Sequence, residues 1–171
     1  MNILKELKPR KALNKAFLKV KPNRSEIESF KTHLITLLDR IHDTESEEFH
    51  KNLVSDFLKK TYYDPNHFIN TKGRNDLVIH NGQTANSTVG VILEAKKPTN
   101  KSEMIKRIAE GDSPKQMISK LNVKAFQELV LYYLRERITH KNIEVKNLVA
   151  TNINEWFIFD ATLFDRLFAQ N

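Results

Sequence analysis

Three residues near the middle of the chain have the types and spacing to handle a phosphate ester: Asp76, Glu94 and Lys96. Glu94 and Lys96 end the apolar run of "VGVILEAKKPTN" (residues 89–100), which Pro98 then stops. Residues two apart on a strand point to one face, so this carboxylate and this ammonium share an environment. Burying either alone is expensive, whereas a carboxylate, an ammonium and a bound cation compensate one another. Upstream, "NDLVIH" (75–80) alternates at period two and ends at the turn dipeptide Asn81-Gly82. Seventeen residues separate Asp76 from Glu94, enough for a hairpin that brings the two acids together. Two carboxylates can hold Mg²⁺, with Mn²⁺ as a substitute, and such a cation keeps several waters. It would polarise a phosphoryl oxygen and lower the pKa of a bound water. Lys96 could orient that water or stabilise the negative charge developing on phosphorus.

The letters E-x-K do not identify this site by themselves. They also occur at Glu6-Leu7-Lys8, in a basic segment with no strand, and at Glu144-Val145-Lys146, which precedes an apolar strand rather than ending it. Only Glu94-Ala95-Lys96 combines a buried strand, an upstream hairpin partner carrying an acid, and a breaker behind it. The alternative is a structural Glu–Lys pair at a strand end, with Asp76 as a turn residue.

The elements that must hold these residues follow from periodicity. Ser25 and Glu28 read as a capping box ahead of a helix over about 26–42, with apolar residues from Ile27 to Ile41. A second helix over about 46–61 carries a stripe from Phe49 to Leu58. The strands 75–80 and 89–97 come next, then a polar excursion over 99–118 with room for a short helix at 102–110. A helix over about 119–138, strands at 147–152 and 155–160, and a short closing helix complete the chain. That order predicts a mixed α/β domain with a small central sheet of about four strands flanked by helices.

At 171 residues the chain makes one ordinary domain, divided here into a basic helical arm (1–24) and the body (25–171). The arm holds eight basic residues against Glu6 alone, and the remainder holds 20 of each sign, so the whole +7 excess lies in the arm. Such an arm can neutralise phosphates; the alternative is a solvated, helix-prone segment. There are no cysteines, and the six histidines have no ligand spacing, so thiolate and zinc sites are not expected. No apolar run is long enough to span a bilayer. The expected setting is the cytoplasm, with no membrane partner.

Asp76, the seventeen-residue interval and Glu94-Ala95-Lys96, on this order of elements, resemble the PD-(D/E)XK nuclease superfamily. More narrowly, "ESEEFHKNLVSDFLKKTYY", "INTKGRNDLVIHNG", "VGVILEAKKP", "KAFQELVLYYLRER" and "ATNINEWFIFDA" resemble the N-terminal cleavage domain of type IIG restriction enzymes. The resemblance covers about residues 10–168, and Asn75 stands where the superfamily motif has proline. It implies a restriction-endonuclease-like core of α-βββ-α-β type and hydrolysis of double-stranded DNA to 5′-phosphates. It also implies Asp76 and Glu94 as metal ligands, Lys96 as catalytic lysine, and methyltransferase and target-recognition parts outside this chain. A double-strand cut would need two such sites, hence a transient dimer on DNA.

Superfamily members often add an acid from the helix before the first strand and a glutamine from the helix after the lysine. Helical phase selects Glu47 over Glu48 for the acid, and Gln127 matches the glutamine. Arg74 and Lys97 flank the site, and Lys8, Arg10 and Lys11 lie in the arm, as candidate phosphate contacts. Two other readings remain: a non-catalytic DNA-binding module with a nuclease-like fold, and a nuclease for other nucleic acids.

Overall fold

The computed structural model describes residues 6–73 and 75–170, with Asn75 and Asp76 described in their backbone only. The chain begins with α1 (Pro9–Ala12) and a single 3₁₀ turn (Phe17–Lys19), neither of which buries a residue. Over the described residues 6–24 the expected helical arm is therefore mostly non-helical and exposed. α2 (Arg24–Asp39) starts two residues earlier than Ser25 suggested, because Asn23 is the cap. The Asn23 side chain accepts from the Glu26 amide at 2.9 Å, and the Asn23 amide donates back to Glu26 at 2.8 Å. Both N-R-S-E and S-E-I-E fit a capping box, and Pro22 just before Asn23 favours the first.

α3 (Glu47–Leu58) is capped by Ser46, whose hydroxyl accepts from the Phe49 amide at 3.0 Å. A five-residue π turn (Lys59–Tyr63) ends it. Three strands follow in an antiparallel meander: β1 (Ile69–Lys72), β2 (Asn75–His80) and β3 (Val89–Ala95). β1 makes the sheet five-stranded rather than four-stranded. Its sequence, "INTK", has one apolar residue and a bulge between Asn70 and Lys72, so it carries no period-two signal.

The crossover from β3 to the next strand also departs from expectation. Residues 102–110 are not helical, although Met104 and Ile105 are buried. α4 (Pro114–Leu121) is capped by Ser113 and Gln116, and α5 (Lys124–Leu134) starts separately after extended Val123. The single helix expected over 119–138 is thus two helices, with a π turn (Arg135–Thr139) at the end. β4 (Asn147–Thr151) lies parallel to β3, and β5 (Trp156–Asp160) pairs antiparallel with β4 as the edge strand opposite β1. α6 (Ala161–Phe164) and a last π turn close the fold. Among the described residues no helix is long and apolar enough to cross a membrane.

Two apolar clusters sandwich the sheet. Leu77, Ile79, Leu93, Ala95 and Val149 face Leu37, Leu53, Val54, Phe57 and Leu58 from α2 and α3. Val78, Ile92, Leu148 and Ala150 face Ala125, Leu129, Tyr132, Tyr133 and Phe164 on the other side. Alternation along β3 supplies both clusters, which is why its sequence is apolar almost throughout.

Gly90 shows how tightly the start of β3 is seated. A Cβ there would lie 2.2 Å from Asn81 Oδ1. Asn81 cannot move away cheaply, because its Nδ2 donates to Thr88 Oγ1 at 3.0 Å and to Glu144 at 3.2 Å. Gly90→Ala should cost about 1–3 kcal/mol in urea denaturation. Most of that loss should vanish in an Asn81→Ala background; equal losses in both backgrounds would contradict the clash.

Candidate functional site

Lys96 immediately follows β3, and its amide donates to the Thr151 carbonyl at 2.8 Å, one step beyond the β3–β4 ladder. The backbone beneath the side chain is therefore fixed. β4 is held in turn by a tight connection in which Ile153, a β-branched residue, adopts φ +73. Ile153 donates to Thr151 Oγ1 at 3.0 Å and accepts from Trp156 Nε1 at 2.9 Å, bonds that hold this costly conformation.

Four carboxylates gather around the Lys96 ammonium. Glu94 lies 2.6 Å from Nζ, Glu128 2.8 Å, Glu47 3.4 Å and Glu103 3.9 Å. They come from β3, α5, the first turn of α3 and the crossover. Side-chain exposure rises from 1% at Glu94 and 3% at Lys96, through 25% at Glu128 and 33% at Glu103, to 40% at Glu47. The cluster therefore has a closed floor and an open mouth. Lys124 approaches Glu103 to 3.4 Å and offsets part of the negative excess.

Both ends of α5 are anchored, which fixes Glu128. At the start, the Ala125 amide donates to the Glu103 carbonyl at 3.1 Å. Near the end, Asp165 accepts from Tyr133 at 3.0 Å and from Arg137 at 2.6 Å. Burial and this carboxylate push the Tyr133 hydroxyl up to about 12. Buried Glu136, just past α5, accepts from Lys72 at 2.7 Å and from Asn142 at 3.2 Å.

The charges in the cluster reinforce one another. Burial acts to lower the pKa of Lys96, but bonds to Glu128 and Glu94 and the charges of Glu94 and Glu47 hold it well above the ordinary lysine range. Burial acts to raise Glu128, but hydrogen bonding with Glu94 and Lys96 and the Lys96 charge bring it below its ordinary 4.5.

Of the residues singled out in the sequence, Glu94, Lys96 and Glu47 come together. Glu47 also accepts from the Lys97 amide at 3.3 Å, whereas Glu48 points outward and pairs with Lys51. Gln127 is not brought in; it is exposed and donates to Asn122 at 2.8 Å. Lys8, Arg10 and Lys11 are exposed on the arm, and Lys97 is half-buried beside the cluster. Arg74 lies outside the described residues. β2 pairs Leu77 with Leu93, so the next step of the same register sets Asp76 opposite Glu94; the Asp76 side chain lies outside the description.

The sequence reading missed Glu128 and Glu103. Glu128 left a signal, as the lone acid of the apolar helix "KAFQELVLYYL", whereas Glu103 sits in a polar stretch without periodicity. Among the described residues no three of His, Cys, Asp and Glu are arranged to hold a metal ion. The carboxylates gather about the Lys96 ammonium instead.

A family model described as a domain of unknown function, DUF7149, matches residues 7–171. No curated protein and no solved structure matches the chain.

The electrostatics give a pH test. A carboxyl lowered in the folded state adds stability above its ordinary 4.5 and loses it as pH falls through the lower folded value, so the wild type should weaken in acid. Lys96→Met leaves Glu94 and Glu128 facing one another and should cost about 3–5 kcal/mol near neutrality. That variant should regain stability on acidification from about pH 8 to about pH 5, as the carboxyls take up protons. Parallel slopes of melting temperature against pH for the two proteins would contradict the cluster.

Proposed function

The chain belongs to the DUF7149 family, and from the residues around Lys96 we propose that it is a divalent-cation-dependent nuclease domain hydrolysing DNA phosphodiester bonds. The observation that carries this reading is the Lys96 ammonium, 3% exposed and 2.6 Å from buried Glu94, at the end of a strand where carboxylates outnumber cations. The order α3, β1–β2–β3, α5, β4 supports a restriction-endonuclease-like core. On this reading the domain is the cleavage part of a type IIG restriction system. Methyl transfer and target recognition then lie in other parts, and the domain pairs transiently on double-stranded DNA in the cytoplasm.

The donor set suits a hard cation in its chemistry: it offers carboxylate oxygens and a net negative charge, which favour Mg²⁺ or Mn²⁺. Asp76 and Glu94 are the residues that would hold it. When bound, the ion would polarise a phosphoryl oxygen and lower the pKa of a bound water. The chain's own part is to present Lys96 as a fixed positive charge toward the phosphate, where charge develops in the transition state. Glu47 ties Lys96 and the Lys97 amide to the start of α3. The restriction to double-stranded DNA comes from the resemblance alone, so a nuclease for other nucleic acids shares this chemistry.

A second reading rests on a separate observation. Residues 7–24 are all exposed and include seven basic residues, Lys8, Arg10 and Lys11 among them, with no acid. That suits a phosphate-binding arm on a non-catalytic module. Such a module has no need of a cation at Glu94.

Calorimetric Mn²⁺ titration separates the two readings. The wild type should bind, and Asp76→Ala and Glu94→Ala should lose binding; equal binding by all three would remove the metal assignment. Plasmid nicking should then disappear in Lys96→Ala, and nicking that survives would remove Lys96 from the mechanism.

A further inference from the structure

Glu128 makes one of the two close contacts to Lys96 and has no part in the chemistry proposed so far. An ammonium has three N–H donors. Glu94 at 2.6 Å and Glu128 at 2.8 Å take two of them well, Glu47 at 3.4 Å takes a third poorly, and Glu103 at 3.9 Å is out of hydrogen-bond range. Glu47 is also the most exposed of the four and divides its carboxylate between Lys96 and the Lys97 amide.

The two close partners differ in what else they must do. On the nuclease reading Glu94 would also hold a cation, whose charge would repel the Lys96 ammonium. The backbone of Lys96 is fixed by Thr151, but its four-carbon stem needs a partner that does not change role. Glu128 meets that need. It projects from a helix anchored at both ends and lies next to Leu129, which is fully buried in the core.

We propose that Glu128 is the positioning residue of Lys96, holding the ammonium in place from α5 while Glu94 serves the cation. This inference rests on the nuclease reading for its purpose, but its geometry can be tested without it. A residue that merely supported the fold would not govern the Lys96 side chain specifically, and a cation ligand would govern metal affinity instead.

The experiment combines three readouts on the full chain. In ¹⁵N-labelled wild type, a slowly exchanging lysine ammonium resonance, assigned by its loss in Lys96→Met, should vanish in Glu128→Gln and persist in Glu47→Gln. Mn²⁺ affinity should be preserved in Glu128→Gln. Cleavage of a DNA duplex should fall about 10- to 100-fold in kcat with KM unchanged, as is usual when a supporting partner of a site residue is lost. Glu128→Asp keeps the charge and guards against loss of fold; it should restore the resonance and part of the turnover. A resonance that survives Glu128→Gln would overturn the proposal, as would loss of Mn²⁺ binding matching that of Glu94→Ala, which would make Glu128 a ligand. Wild type that binds no Mn²⁺ would sink the nuclease reading alone, and the ammonium resonance would still decide the role of Glu128.

Discussion

Removing an ammonium from water costs several kcal/mol even after relaxation, and a lysine can stay charged in a protein interior only where carboxylates meet it. Lys96 is such a lysine, and much of the architecture can be traced to it. β3 carries it inward together with Glu94, α3 begins where Glu47 can reach it, α5 brings Glu128, and the crossover brings Glu103. These four acids are up to 81 residues apart in sequence, from Glu47 to Glu128. The sheet with helices on both faces brings these positions within 4 Å of one nitrogen. The ion cluster and the fold are consequently one constraint: a shift of α5 along the sheet would leave the ammonium short of a partner.

The same strand explains why the cluster forms at an end of the sheet rather than inside it. β3 has neighbours on both sides and helices on both faces, so its middle must be apolar. Polar side chains fit only where the strand leaves the sandwich, at Glu94 and just beyond. β4 runs parallel to β3, so both strands finish at the same end of the sheet, and Thr151, the last residue of β4, supports the backbone of Lys96. Clefts outside the carboxyl ends of parallel strands are the usual ligand sites of open α/β sheets, and here one such end carries the charge.

What the sequence disclosed depended on whether a position was set by a period or by a tertiary contact. Glu94 and Lys96 were legible because a seven-residue apolar strand fixes which face they share. Glu47 was legible because helical phase separates it from Glu48 by 100°. On α5 the residue chosen by resemblance, Gln127, lies one position before Glu128, which makes the contact. An amphipathic stripe tolerates either position at its border, and the crossover geometry that decides between them has no local signature. β1 was invisible because four mostly polar residues pair through backbone bonds that their side chains do not announce. Glu103 was invisible for a related reason: its place depends on the burial of Met104 and Ile105 within an irregular segment.

The bland account of the cluster, a structural ion pair, can be weighed on energetic grounds. A buried lysine needs one well-placed carboxylate and some hydrogen-bond acceptors; Glu94 at 2.6 Å would largely suffice. Adding Glu128, and then Glu47 and Glu103, gathers further carboxylates around one ammonium in a partly dehydrated space. Apolar side chains of similar size at some of these positions would be neutral or stabilising for the fold. Sequences depart from local consistency in this way chiefly at functional sites. An excess of acids around one fixed ammonium is what a site would keep if its balance were completed by a second cation. Such an excess favours the nuclease reading over a pair that merely closes a strand.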